Sequence, residues 1–161
     1  MKGKIMARRL NMVLIGLILC GVLVYGVFLP WWGRQVAIME KGGPFDGAFW
    51  PWLLYLWGTA VPCVVAVCYA FSITHTLRED RMFIPQNARR LLMIARWAVG
   101  DTVYFFVGQI LLYAVGWNHP GVILLSLFFV FAGLAIATAA RALSWFVQKA
   151  AELQEESDWT I

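Results

Sequence analysis

Asp101 holds the most expensive position in this chain. It lies ten residues into the apolar run that begins at Leu91, so a helical rise of 1.5 Å per residue puts it roughly 15 Å deep, near the middle of a hydrocarbon layer about 30 Å thick. An ionised carboxylate there costs about 2.5–3.5 kcal/mol on insertion scales. Such a residue calls for a partner, a proton or a task. Arg96 is roughly 7.5 Å from the same boundary, shallow enough for its stem to reach back to water, and about 140° around the helix from Asp101. Arg141, at similar depth in the last apolar run, is the better partner because it comes from another helix. With Tyr104 one turn above Asp101, these residues define a candidate intramembrane polar cluster of Asp101, Arg96, Arg141 and Tyr104. Two chemistries fit it. One is a structural clamp, with Asp101 hydrogen-bonded or protonated, that fixes helix packing; the other is the proton-handling centre of a small transporter or channel subunit. The clamp is the leading reading, because a single four-helix bundle encloses little space for a solute path.

Other chemistries lack their residues. Cys20, Cys63 and Cys68 all fall inside apolar runs, where a thiol acts as a small hydrophobe. A quinone-linked thiol oxidase would need cysteine pairs in the outer loops, which contain none. His75 and His119 fall on opposite sides of the bilayer, too far apart for a shared metal. The expectation is therefore a protein that is not an enzyme and holds no metal or cofactor. The net charge of +4 sits in short clusters flanking apolar runs, which argues against direct nucleic-acid binding.

The elements that position Asp101 follow from hydropathy. Of 161 residues, 61% are hydrophobic and only 14% charged, well outside the balance of a soluble domain. Four runs reach spanning length, at about 10–28, 50–73, 91–115 and 122–146. Helix is the only form available, because alternating barrel strands are absent and backbone groups in lipid must bond within their segment. Lys and Arg cluster before the first run, between the second and third (Arg78, Arg81, Arg89, Arg90) and after the fourth, whereas the other side has only Arg34 and Lys41. That asymmetry places both termini in the cytoplasm. Trp31, Trp32, Trp50, Trp52 and Trp117 gather at the outer boundary as interfacial anchors. The first run ends in "LPWWG" with no small-residue cleavage site, so it reads as a retained anchor. "KGGPFDG" and "GWNHPG" are outer turns, Pro85 suits the first turn of the third helix, and Pro62 predicts a kink in the second. The fold class is thus all-α membrane: four transmembrane helices as two hairpins, forming one domain over residues 1–161, with residues 147–161 as a cytoplasmic helical tail.

Within the fourth run Gly133, Ala137 and Ala140 form a small-residue face that permits close helix approach. Contact within the chain is the leading use, and a seam between copies in a homo-oligomer or a seat for an inserted peptide or membrane subunit are the alternatives. "ARRLNM" and "ARRLLM" echo one another before the first and third runs, which two orientation signals suffice to explain.

The tail "KAAELQEESDWTI" is amphipathic at helical spacing and ends in Glu152, Glu155, Glu156 and Asp158. Acid at a helix C-terminus opposes the macrodipole, so a positive partner would relieve it. The inner arginines or a basic cytoplasmic protein could supply that charge; a solvated end repelled by anionic lipid is the alternative. The tail, the segment "MFIPQNARRL" and the four-span layout resemble the small bacterial membrane proteins of domain-of-unknown-function family 2975. Ser157 and Trp159 depart from the family's usual ending. The resemblance implies an inner-membrane location and no established enzyme activity. It also implies pairing with a Cro/CI-type helix-turn-helix regulator encoded nearby. Docking of that regulator on Arg78, Arg81, Arg89, Arg90 and the four tail acids is the leading expectation, ahead of the transporter and the peptide-binding readings.

Overall fold

A computed structural model describes residues 2–39, 41–43, 45–79 and 83–159, with side chains only from residue 4 and up to residue 157. Every regular element among them is helical. The order is α1 (Lys2–Leu23), a π-helical turn (Val24–Phe28), α2 (Leu29–Met39), α3 (Phe49–Arg78), α4 (Pro85–Ala114) and α5 (Pro120–Trp159). Four helices, counting α1 to α2 as one rod, are long and apolar enough to cross a membrane.

The first rod differs from the sequence expectation. Rather than ending near Phe28, the helix continues through "LPWWGRQVAIM" to Met39. Pro30 ought to break it, since its ring clashes with the carbonyl four residues back and it has no N–H to give. The π turn absorbs the conflict: the Leu29 N–H reaches back five residues to the Val24 carbonyl, which widens the turn where the ring must fit. One carbonyl remains. Tyr25 lacks its donor five residues on because that residue is Pro30, and the Trp57 indole N–H of α3 donates to the Tyr25 oxygen at 3.0 Å. Trp57→Phe should therefore strand a carbonyl in an apolar setting and cost about 1–2 kcal/mol. A denaturation titration in micelles that placed Trp57→Phe level with wild type would refute this account of the rod.

Local chemistry sets the remaining boundaries. Gly42 and Gly47 adopt positive φ, 80° and 83°, in the turn between α2 and α3, where the Gly42 N–H donates to Asp46 Oδ2. Ile84 is extended and Pro85 occupies the first turn of α4, as expected of a residue that lacks an N–H. The far end of α4 closes on Gly116 at φ 83°: the Trp117 N–H bonds the Leu112 carbonyl and the Gly116 N–H bonds that of Tyr113, which is a Schellman arrangement. Two residues later His119 caps α5, its Nδ1 accepting from the Gly121 N–H at 3.1 Å, with Pro120 at the first helical position. A Pro62 ring inside α3 leaves that helix uninterrupted from Phe49 to Arg78.

Packing follows chain order. The first rod lies on α3, α3 on α4 and α4 on α5, and no α-carbon of the first rod comes within 8 Å of one in α4 or α5 among the described residues. The four helices make an open row rather than a closed ring. One wall of that row is left as a groove.

Candidate functional site

The groove is held in shape by the α3–α4 crossing. Tyr55 of α3 lies over Gly108 of α4, and Tyr104 of α4 lies over Gly58 of α3, each ring occupying the space a Cβ would need. The two rings are 5.6 Å apart. Their hydroxyls reach across the crossing: Tyr55 donates to the Phe105 carbonyl and Tyr104 to the Tyr55 carbonyl at 3.1 Å. Gln109, 2% exposed, continues the network. Its Nε2 donates to Tyr55 Oη at 3.3 Å and its Oε1 accepts from Asn118 Nδ2 at 2.7 Å, which ties the α4–α5 turn to the crossing. On the other side of α4, Gly133 of α5 stands against Thr102 Oγ1 so closely that no side chain fits. Ala137 is buried one turn on and Ala140 is half-buried. The small-residue face therefore packs on α4 within the chain.

All four helices line the resulting cavity of about 610 Å³, wide for a bundle expected to enclose little space. Tyr25 comes from the π turn, Trp52, Thr59 and Cys63 from α3, Asp101, Thr102 and Phe105 from α4, Ser126 and Phe129 from α5. Asp101 sits 16 residues into the 30 of α4, close to mid-helix. Its Oδ1 is buried and makes no hydrogen bond. The expected cluster does not assemble around it. Arg96 and Arg141 are both exposed, and the ion pairs among the described residues, His75 with Glu79 and Lys149 with Glu152, lie elsewhere. Arg96 fails for the reason its spacing gives, since it points away from the Asp101 side of the helix; Arg141 fails because the α5 face toward α4 is the Gly133 and Ala137 face. Tyr104 spends its hydroxyl on Tyr55. Asp101 is therefore alone with apolar walls and hydroxyls.

At the end of the row that holds both termini, the charged residues separate into two kinds. Arg90 is structural: its Nη1 donates to the Ser72 carbonyl and to Asn87 Oδ1, each at 3.0 Å, and Asn87 Nδ2 donates to Thr76 Oγ1 at 2.9 Å. This clamp joins the last turns of α3 to the first turn of α4, so Arg90 is removed from the set of docking residues. Arg78 and Arg89 are exposed. Arg81 and the side chain of Asp158 lie outside the described residues. The tail prolongs α5 as unbroken helix to Trp159. Ser144 ties it down by donating to the Ala88 carbonyl at 2.6 Å, and Ala151 is buried beyond it. Glu152, Glu155 and Glu156 are exposed. Glu152 pairs with Lys149 at 3.2 Å, and no ion pair joins Glu152 or Glu155 to Arg78, Arg89 or Arg90 among the described residues.

Sequence reasoning passed over Gln109, Asn118, Thr59 and Asn87. A polar residue inside or beside an apolar run is itself a signal, because lipid makes it costly, and that rule would have found Gln109.

Membrane-length helices in a row, with interhelical polar contacts in place of an aqueous core, define a helical multi-pass membrane protein. Among the described residues no three His, Cys, Asp or Glu side chains are grouped so as to hold a metal ion. The chain belongs to the family described as Protein of unknown function (DUF2975), whose model matches residues 35–161. The matched region takes in α3, α4, α5 and the tail and leaves out α1. A relative from Bacillus subtilis (strain 168), described as the uncharacterized membrane protein YoaS, is 27% identical over 110 residues, covering 67% of this chain and 69% of the relative. No solved structure matches the chain.

Proposed function

We propose that this is a noncatalytic bacterial inner-membrane protein, with both termini in the cytoplasm, that holds a helix-turn-helix transcription regulator at the membrane. The observation that carries the reading is the tail: a helical continuation of α5 on which Glu152, Glu155 and Glu156 are exposed, and Glu155 makes no ion pair among the described residues. Between residues 147 and 161 four acids face one lysine. A helix-turn-helix protein presents a basic surface to phosphate, and a rigid acidic helix competes for that surface. Arg78 at the end of α3 and Arg89 in the second turn of α4 are exposed and would supply the complementary sign for acidic residues around the rim.

The test is to read the neighbouring genes for a helix-turn-helix protein and to measure its capture in mild detergent by full-length protein and by protein lacking the last thirteen residues. Truncation should reduce capture at least tenfold, and the captured fraction should fall steeply with salt. Equal capture by both forms would remove the tail from the surface. A locus without such a regulator, or labelling that puts residue 161 outside the cell, would overturn the reading itself.

A further inference from the structure

The groove carries an assignment independent of the cytoplasmic tail. Its polar lining is almost entirely spent on internal bonds. Tyr25 Oη and Thr59 Oγ1 bond each other at 2.7 Å, Thr102 donates to the Ala98 carbonyl at 2.7 Å and Ser126 to the Ile123 carbonyl at 2.7 Å. Gln109 is engaged as described above. Asp101 is the lining residue whose carboxyl has an oxygen, Oδ1, buried without a partner. Among the described residues no Lys, Arg or His lines the cavity, so they offer this carboxyl no positive charge there. The same cavity is lined by the aromatic side chains of Tyr25, Trp52, Phe105 and Phe129, and its volume falls in the 300–1,000 Å³ range of small-molecule sites.

We propose that the groove binds a lipophilic ammonium ion, with its N–H donors on Asp101 and its apolar body against the aromatic wall. Each part of such a ligand meets a feature that is otherwise unexplained. The ammonium gives the carboxylate a charge-assisted hydrogen bond, strong where water is excluded; the rings add attraction for a cation over their faces; and the hydrophobic body fills space that water would occupy poorly. Entry needs no gate. No α-carbon of the first rod comes within 8 Å of one in α5 among the described residues, and an amphiphile already in the bilayer would move in sideways between them. A lipid acyl chain would fill the same volume but would leave Asp101 unsatisfied, which is why a cation is the fitted occupant.

Full-length protein in phosphatidylcholine vesicles provides the test, with dansylcadaverine, a fluorescent primary amine, and its N-acetylated neutral form as probes. Energy transfer from tryptophan, Trp52 being at the groove, reports occupancy. Wild type should bind the amine saturably and the acetylated probe at least tenfold more weakly. Asp101→Asn should lose that preference, Asp101→Glu should keep it, and Ala132→Phe, which fills the cavity and leaves the carboxyl in place, should weaken both probes. Equal binding of the two probes to wild type would overturn the proposal in favour of a neutral lipid groove, and this comparison decides the matter even if a variant fails to fold. Amine binding by folded Asp101→Asn within twofold of wild type would overturn it as well. Removing the tail should change none of these values, which separates this site from the regulator surface.

Discussion

Gly108→Leu should cut the amount of protein recovered from membranes to a small fraction of wild type, whereas Gly16→Leu should leave it unchanged. Both glycines are inside helices, and a helix gains about 0.8–1.0 kcal/mol when Gly gives way to a good helix former. At Gly16 nothing stands within 4 Å of an added Cβ, so that gain is kept. At Gly108 the Tyr55 ring occupies the space. Tyr55 cannot swing clear, because its hydroxyl is held by the Phe105 carbonyl and its ring stacks on Phe105 at 6.0 Å. Overpacking of that kind costs about 1–3 kcal/mol, and here it also forces Tyr104 off Gly58 on the reciprocal side. Detergent-denaturation midpoints for the two variants should move in opposite directions. If both moved together, the paired tyrosines would not be the lock between α3 and α4.

The second large effect concerns Arg90. Arg90→Ala should destabilise the protein by about 1.5–3 kcal/mol, the range for hydrogen bonds to charged groups, because the Ser72 carbonyl loses its donor and the tie from Arg90 to Asn87 Oδ1 is lost. Its neighbour Arg89 is exposed, and Arg89→Ala should stay within about 0.5 kcal/mol of wild type. Thermal inactivation followed by size exclusion reads the difference. The same pair of variants sorts the docking surface: capture of a regulator should fall with Arg89→Ala in protein of unchanged stability, while any loss with Arg90→Ala should track its lower melting point. Equal stability of the two variants would return Arg90 to the solvent-facing set.

How far the sequence reaches can be judged residue by residue. Hydropathy located the four rods, because burial in lipid is decided by the composition of each segment alone. Pro85, Gly116 and Pro120 marked helix ends through backbone geometry, which neighbouring residues set. Pro30 carries the local signal of a helix end, and the π turn that overrides it is stabilised by Trp57 on another helix. The Asp101 cluster misled for a related reason. Depth can be counted along one helix, but whether Arg141 meets Asp101 depends on how α5 is rotated against α4, and that rotation is set by Gly133 closing on Thr102.

Composition and local backbone preference were enough to establish a four-rod membrane protein with a polar helical tail and a costly acid in mid-span. The open row, the groove along it, the tyrosine lock and the solitude of Asp101 were decided only in three dimensions. The physical reason is that the free energy of a span in lipid is a sum over its own residues, whereas contact between spans depends on which small and large side chains face one another, and no single segment contains that information.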